Sequence, residues 1–193
     1  VEIGQHVFQI FPERALYWPE QGCLLIADLH LGKADTFRHF GIAVPQAVQW
    51  ADLERLSRLI EQLQPARCVV LGDFVHGRIV SKATAKAWND LVAVFPQTQF
   101  ELLVGNHDRA LSADAFSFHN VTKYLEVNGV LLSHEPFSAD RLREGGYLNI
   151  HGHIHPAMRI EGSSTKQPAL VYRKPYLIMP AFSEFTAGVA ATA

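Results

Sequence analysis

Three apolar runs in this chain each end in side chains able to bind a metal ion. Leu24-Leu25-Ile26-Ala27 leads into Asp28-Leu29-His30, Cys68-Val69-Val70-Leu71 into Gly72-Asp73, and Glu101-Leu102-Leu103-Val104 into Gly105-Asn106-His107-Asp108. Short continuous apolar runs read as buried strands. Open α/β sheets place their chemistry just beyond the carboxyl ends of such strands. Two later patches, Ser133-His134 and Gly152-His153-Ile154-His155, add imidazoles. Carboxylates, an amide and imidazoles with no thiolate suit one or two divalent cations such as manganese, iron or zinc.

The segments between the runs are helical in period. Within Gln46 to Leu63 the residues Leu53, Leu56, Leu59, Ile60 and Leu63 recur at intervals of three and four, after Pro45 and before Pro65. Lys82 to Phe95 repeats the pattern with Ala87, Leu91 and Val94, and Pro96 ends it. With strands over residues 14–18 and 22–27, joined by Pro19-Glu20-Gln21-Gly22, the first half reads as βαβαβ. The second half predicts mostly antiparallel strands. Residues 121–127 and 130–133 form a hairpin through Asn128-Gly129 in a type I′ turn. Strands over 148–150, 158–161, 170–173 and 176–179 follow, with 162–165 as a mobile surface loop. The expectation is an α/β fold of two packed sheets with helices outside, forming a single domain over residues 1–193.

Nearly half the chain is apolar and the formal net charge is −2, so no global basic field marks it as a nucleic-acid binder. Bound cations would still supply positive charge locally. Cys23 and Cys68 sit in apolar runs and read as buried, reduced thiols, which points to the cytoplasm. No charged-then-apolar leader opens the chain, and no apolar run reaches the roughly 18 residues that span a membrane. Trp18, Trp50 and Trp88 read as core or interface, His151 as structural or near the substrate, and His6, His39 and His119 as solvated.

Asp28 and His30 are two residues apart, so an extended backbone would aim both side chains alike; the same holds for His153 and His155. Gly72, Gly105 and Gly152 directly precede the candidate donors Asp73, Asn106 and His153, where a missing Cβ lets backbone crowd a pocket.

Taken in order, Asp28-Leu29-His30, Gly72-Asp73, Gly105-Asn106-His107-Asp108, His134 and Gly152-His153-Ile154-His155 resemble the motif series of the calcineurin-like metallophosphoesterase superfamily. More narrowly, residues 12–18, 27–33 and 180–186 are similar to the DNA ligase-associated metallophosphoesterases of bacteria. The resemblance implies a four-layer α/β/β/α sandwich holding two divalent metal ions, with Mn2+ favoured over Fe or Zn. It implies Asp28, His30, Asp73 and His155 around one ion and Asp73, Asn106, His134 and His153 around the other, with Asp73 bridging. It further implies a dinuclear phosphodiesterase acting on nucleic acid or nucleotide-like diesters in DNA repair, with repair proteins as partners. Fewer than 40 residues follow His155, so the grip on the substrate is expected to be shallow or shared with a partner. The late strands offer an edge for a homo-oligomer. A phosphomonoesterase, a nucleotide pyrophosphatase and a non-catalytic scaffold of the same fold are the alternatives.

His107 follows a ligand without being one, which suits it to protonate the leaving oxygen or bond a phosphoryl oxygen. Asp108 either orients His107 or caps the loop. His76 stands three residues after Asp73, where the protein-phosphatase branch of the superfamily has an acidic residue. It is expected to donate to substrate or polarise His107 through water, or else to be a plain supporting residue. No Arg precedes Gly105-Asn106-His107, and both departures point away from phosphoprotein substrates. Lys33, Arg38 and Arg109 follow the ligand motifs and are either phosphate contacts or solvated cations.

Overall fold

The apolar runs form the middle of a six-stranded sheet. In a computed structural model, its spatial order is Gln9–Phe11, Ala15–Trp18, Cys23–Ile26, Arg67–Val70, Gln99–Leu103 and Asn120–Thr122. The first two junctions are antiparallel and the last three parallel. The structure describes residues 1–193 except 111–114, 161, 163, 187 and 191–193, and only the backbone at 46–49, 110 and 190. Helices Lys33–His39 and Gln46–Leu63 make the first parallel crossover, and Lys82–Val94 makes the second. Ser81 caps the latter by accepting from Thr84 N through its side chain.

A second sheet lies behind the first. Its order is Val171–Arg173, Tyr176–Ile178, Leu148–His151, Val130–Ser133 and Tyr124–Val127. Leu25, Val69, Leu71 and Leu103 of the first sheet meet Val130, Leu132, Ile150 and Leu177 of the second in one buried cluster. On the other face of the first sheet, Ile26, Val70 and Leu102 pack under Leu56, Ile60, Trp88 and Leu91 of the helices. The segment through helix Ala139–Gly145 covers the second sheet, where Asn149 Oδ1 accepts from Phe137 N at 2.9 Å. The layers therefore run α/β/β/α.

Three expectations change. The run 121–127 is two strands, Asn120–Thr122 and Tyr124–Val127, which belong to different sheets, so the chain passes from one sheet to the other at Lys123. Within the second sheet, Leu148–His151 pairs in parallel with both Val130–Ser133 and Tyr176–Ile178; helix Ala139–Gly145 makes the first of these crossovers, and the strand-bearing segment over 156–173 makes the second. His6 is buried, edge-on to Trp18 at 5.0 Å between ring centroids. The type I′ turn is present, with φ of 49° at Asn128 and 76° at Gly129. Both cysteines are free and buried, and burial pushes the Cys23 thiol up to about 12. The expected strand over 158–161 is Pro156–Arg159, with Glu161 outside the described residues; Ser163 of the expected loop also lies outside them.

Candidate metal centre

The ligand motifs lie beyond the strands, in turns that are not extended. Cys23–Ile26 and Arg67–Val70 end two or three residues before Asp28 and Asp73. Past those ends the two loops continue to bond each other: Asp28 N to Gly72 O at 3.1 Å, His30 N to Asp73 O at 2.9 Å and Leu31 N to Phe74 O at 2.7 Å. Asp28, His30, Asp73, His153 and His155 all have φ between 47° and 70°, in the left-handed region. Non-glycine residues pay about 1 kcal/mol or more each for that conformation. The alternation expected of an extended strand therefore does not operate. Paired left-handed turns converge these side chains instead.

Two groups of candidate metal donors result. Asp28, His30 and His155 present donor atoms within 4.8 Å of one another, as do Asp73, His134 and His153. Asn106 joins the second set, with Oδ1 2.9 Å from His134 Nε2. His134 links the two sets, its Nε2 3.3 Å from Asp73 Oδ1 and its Nδ1 3.8 Å from Asp28 Oδ1. A third group, His30, His76 and His107, adjoins the first.

The tautomers follow from backbone partners. Leu71 O lies 3.0 Å from His134 Nδ1, and a carbonyl can only accept, so Nδ1 carries the proton. The Nε2 lone pair then faces Asp73 Oδ1, Asn106 Oδ1 and, at 3.1 Å, His153 Nδ1. Asp28 is 0% exposed and Asp73 3%, yet no Lys or Arg among the described residues pairs with either. His153 N and His107 N donate to them at 3.1 and 3.0 Å. His30 Nδ1 and His155 Nε2 are buried without a hydrogen bond, although His155 Nε2 is only 3.1 Å from Asp28 Oδ1. Buried charges require compensation. The lone pairs converging around two buried carboxylates are oxygen and nitrogen donors, a set that fits divalent metal ions. Burial, with His155 and Lys33 adding, pushes His30 down to about 2, so it stays the neutral imidazole a metal needs.

Backbone packs tightly around this set. A Cβ on Gly72 would overlap the His134 ring, one on Gly105 would overlap Asp73, and one on Gly152 would stand 2.6 Å from Asp28 Oδ2.

The remaining predicted residues separate. His107 is at the open side, with Nε2 3.9 Å from Asp73 Oδ2 and its ring stacked on His76 at 5.6 Å. Its Nδ1 lies 2.7 Å from the main-chain carbonyl of His76, so this contact is direct and needs no water. Burial, with Lys33 and His107 adding, lowers the pKa of His76. Asp108 accepts from Val75 N at 3.0 Å and Gly105 N at 2.8 Å, and so caps the loop. Arg38 pairs with buried Asp35 and donates to Val44 O at 3.3 Å, which ties it to its own helix and loop. Lys33 Nζ donates to Phe185 O at 2.9 Å. Arg109 is exposed and lines the cleft beside Asn106 and His134.

One supporting feature carried no reading beyond family resemblance. Residues 180–186 run beneath the centre, where Phe182 N donates to Ala27 O at 2.7 Å. Arg55 holds them, pairing with Asp52 and Glu184 at 2.8 Å each, donating to Phe182 O and stacking over the Phe182 ring at 4.3 Å.

A family model for calcineurin-like phosphoesterases matches residues 23–184. The chain belongs to that family. As a calcineurin-like phosphoesterase it is a metal-dependent hydrolase of phosphoric esters. Among solved structures, the Pseudomonas putida nuclease MPE is 28% identical and superposes with a TM-score of 0.85 over 100% of this chain and 90% of its own. The Aquifex aeolicus protein of unknown function AQ665 is 21% identical over 69% of this chain and 78% of its own, with a TM-score of 0.47. The E. coli phosphoesterase Yfce is 14% identical over 83% of this chain and 79% of its own, with a TM-score of 0.48. No curated protein sequence matches this phosphoesterase significantly. None of its described helices is long and apolar enough to cross a membrane.

Proposed function

We propose that this phosphoesterase is a dinuclear phosphodiesterase acting on nucleic acid, with Mn2+ as the working ion. Asp28, His30, Asp73 and His155 would hold one ion and Asp73, Asn106, His134 and His153 the other. The observation that carries this reading is the pair of buried carboxylates, Asp28 and Asp73, facing imidazole lone pairs with no Lys or Arg among the described residues paired with either. Full-length similarity to a protein described as a nuclease favours a diester substrate. The motif resemblance to ligase-associated members favours a setting in DNA repair.

When bound, the ions supply Lewis acidity that neutralises phosphoryl oxygens and acidifies water. The chain's own groups do the rest. His107 delivers a proton to the leaving oxygen from Nε2, since its Nδ1–H is held by the His76 carbonyl. The His76 ring, stacked on His107, bonds a phosphoryl oxygen. Asp108 keeps the loop carrying Asn106 and His107 in place through two backbone amides. Gly72, Gly105 and Gly152 bring backbone close enough to exclude bulk water from the buried carboxylates.

The test compares bis-p-nitrophenyl phosphate with p-nitrophenyl phosphate, with Mn2+ and with chelator. The expected result is faster diester turnover that chelation abolishes. Faster monoester turnover would overturn the diester assignment, and turnover surviving complete chelation would overturn the metal assignment.

A further inference from the structure

We propose that a polynucleotide lies in a groove across the mouth of the metal centre, held by Arg109, Lys123 and Tyr124 on one side of Phe137 and by Arg173 and Lys174 on the other. This rests on the phosphodiesterase reading above. The groove consists of two cavities that share Pro136 and Phe137. The first, of about 610 Å³, has Asn106 and His134 in its wall together with Arg109, Lys123 and Tyr124. The second, of about 440 Å³, is lined by His151, Ile154, Arg173 and Lys174.

All four cations are exposed, and none is ion-paired among the described residues. The whole chain has a net charge of −2, so this local excess is invisible in the composition. Unpaired cations along a concave wall focus a positive field toward a polyanion. One acidic side chain, Glu135, also lines the first cavity.

Tyr124 supplies the second element. It is 42% exposed, although its ring meets Phe137 edge-on at 5.4 Å. The Arg141 guanidinium lies over both rings, 4.3 Å from the Phe137 centroid and 5.2 Å from that of Tyr124. The tyrosine is thus a braced platform with open area beside unpaired cations. A base stacked on an aromatic ring next to its neutralised phosphate needs that combination, and such stacking is tolerant of sequence. The sheet switch explains the placement. Asn120–Thr122 is tied to one sheet and Tyr124–Val127 to the other, so Lys123 and Tyr124 stand where the two sheets part.

The experiment measures binding of fluorescein-labelled DNA and RNA oligonucleotides of one sequence by anisotropy, without Mn2+, for the parent, Lys123→Ala/Tyr124→Ala and Arg173→Ala/Lys174→Ala. Each double variant is expected to raise Kd about tenfold, and removal of each cation should make the salt dependence shallower by about one unit of slope. Equal losses for DNA and RNA assign the groove to the shared backbone, and a loss for one assigns it to that polymer. Kd values within about twofold of the parent for both polymers would overturn the groove. Failure of the underlying reading shows separately, as absent Mn2+-dependent turnover of bis-p-nitrophenyl phosphate by the parent.

Discussion

The Nδ1 atom of His107 lies 2.7 Å from the main-chain carbonyl oxygen of His76. The family's protein-phosphatase branch is expected to orient this histidine with a carboxylate, whereas here a backbone acceptor sets the tautomer. A carbonyl can only accept, so it fixes which ring nitrogen holds the proton. It also survives any substitution at position 76.

His107→Ala should therefore bind Mn2+ normally and lose about 10²–10⁴-fold in turnover of an oligonucleotide. The loss should be smaller for p-nitrophenyl esters, whose leaving group needs no proton. His76→Ala keeps the carbonyl and should cost about tenfold or less. Equal losses for good and poor leaving groups would remove His107 from the role of acid.

Asp73→Asn should show opposite signs in two assays. Metal content measured by mass spectrometry should fall, and activity with it. The metal-free protein should melt at a higher temperature, because an uncompensated buried carboxylate becomes a neutral amide that can still accept from His107 N. A lower melting temperature in chelator would show that Asp73 is compensated by the protein alone.

Gly105→Ala places a methyl group against the Asp73 carboxylate and backbone, whereas nothing lies within 4 Å of a Cβ on Gly77. The first substitution should lower stability by about 1–3 kcal/mol and weaken metal binding, and Gly77→Ala should change both little. Denaturant melts and a metal titration read the difference.

Acid should destabilise the metal-free protein early. Burial lowers His151 to about 4 and His30 to about 2, both below the ordinary 6.5. The unfolded chain therefore binds protons that the folded chain refuses, and stability present above pH 6.5 is lost as pH falls toward 4. For His151 alone this amounts to about 3 kcal/mol. Asp35 and Glu101, held low by hydrogen bonds and ion pairs despite burial, continue the loss through the carboxylate range. Melts in chelator between pH 8 and pH 4 test the sign, and stabilisation on acidification would contradict it.

Arg55→Ala removes the cation that holds Asp52, Glu184 and the Phe182 carbonyl. It leaves Asp52 buried, where burial already raises its pKa. The expected cost is about 3–5 kcal/mol. Since Phe182 N bonds Ala27 O next to Asp28, weaker metal binding should accompany it.

Much of this protein was legible in residue order alone. Apolar runs ending in Asp28, Asp73 and Asn106 marked strands with chemistry at their ends, and apolar spacing between Pro45 and Pro65 marked helix Gln46–Leu63. Side-chain identity carries that information, because burial and period are properties of side chains. The tertiary structure decided what main-chain atoms and distant partners do. The left-handed turns at Asp28 and His153, the Leu71 and His76 carbonyls that set two tautomers, the division of residues 121–127 between two sheets, and Arg55 beneath the centre have no signature in local sequence. Every residue carries the same amide and carbonyl, so which of them meets a given imidazole emerges only when the sheets pack.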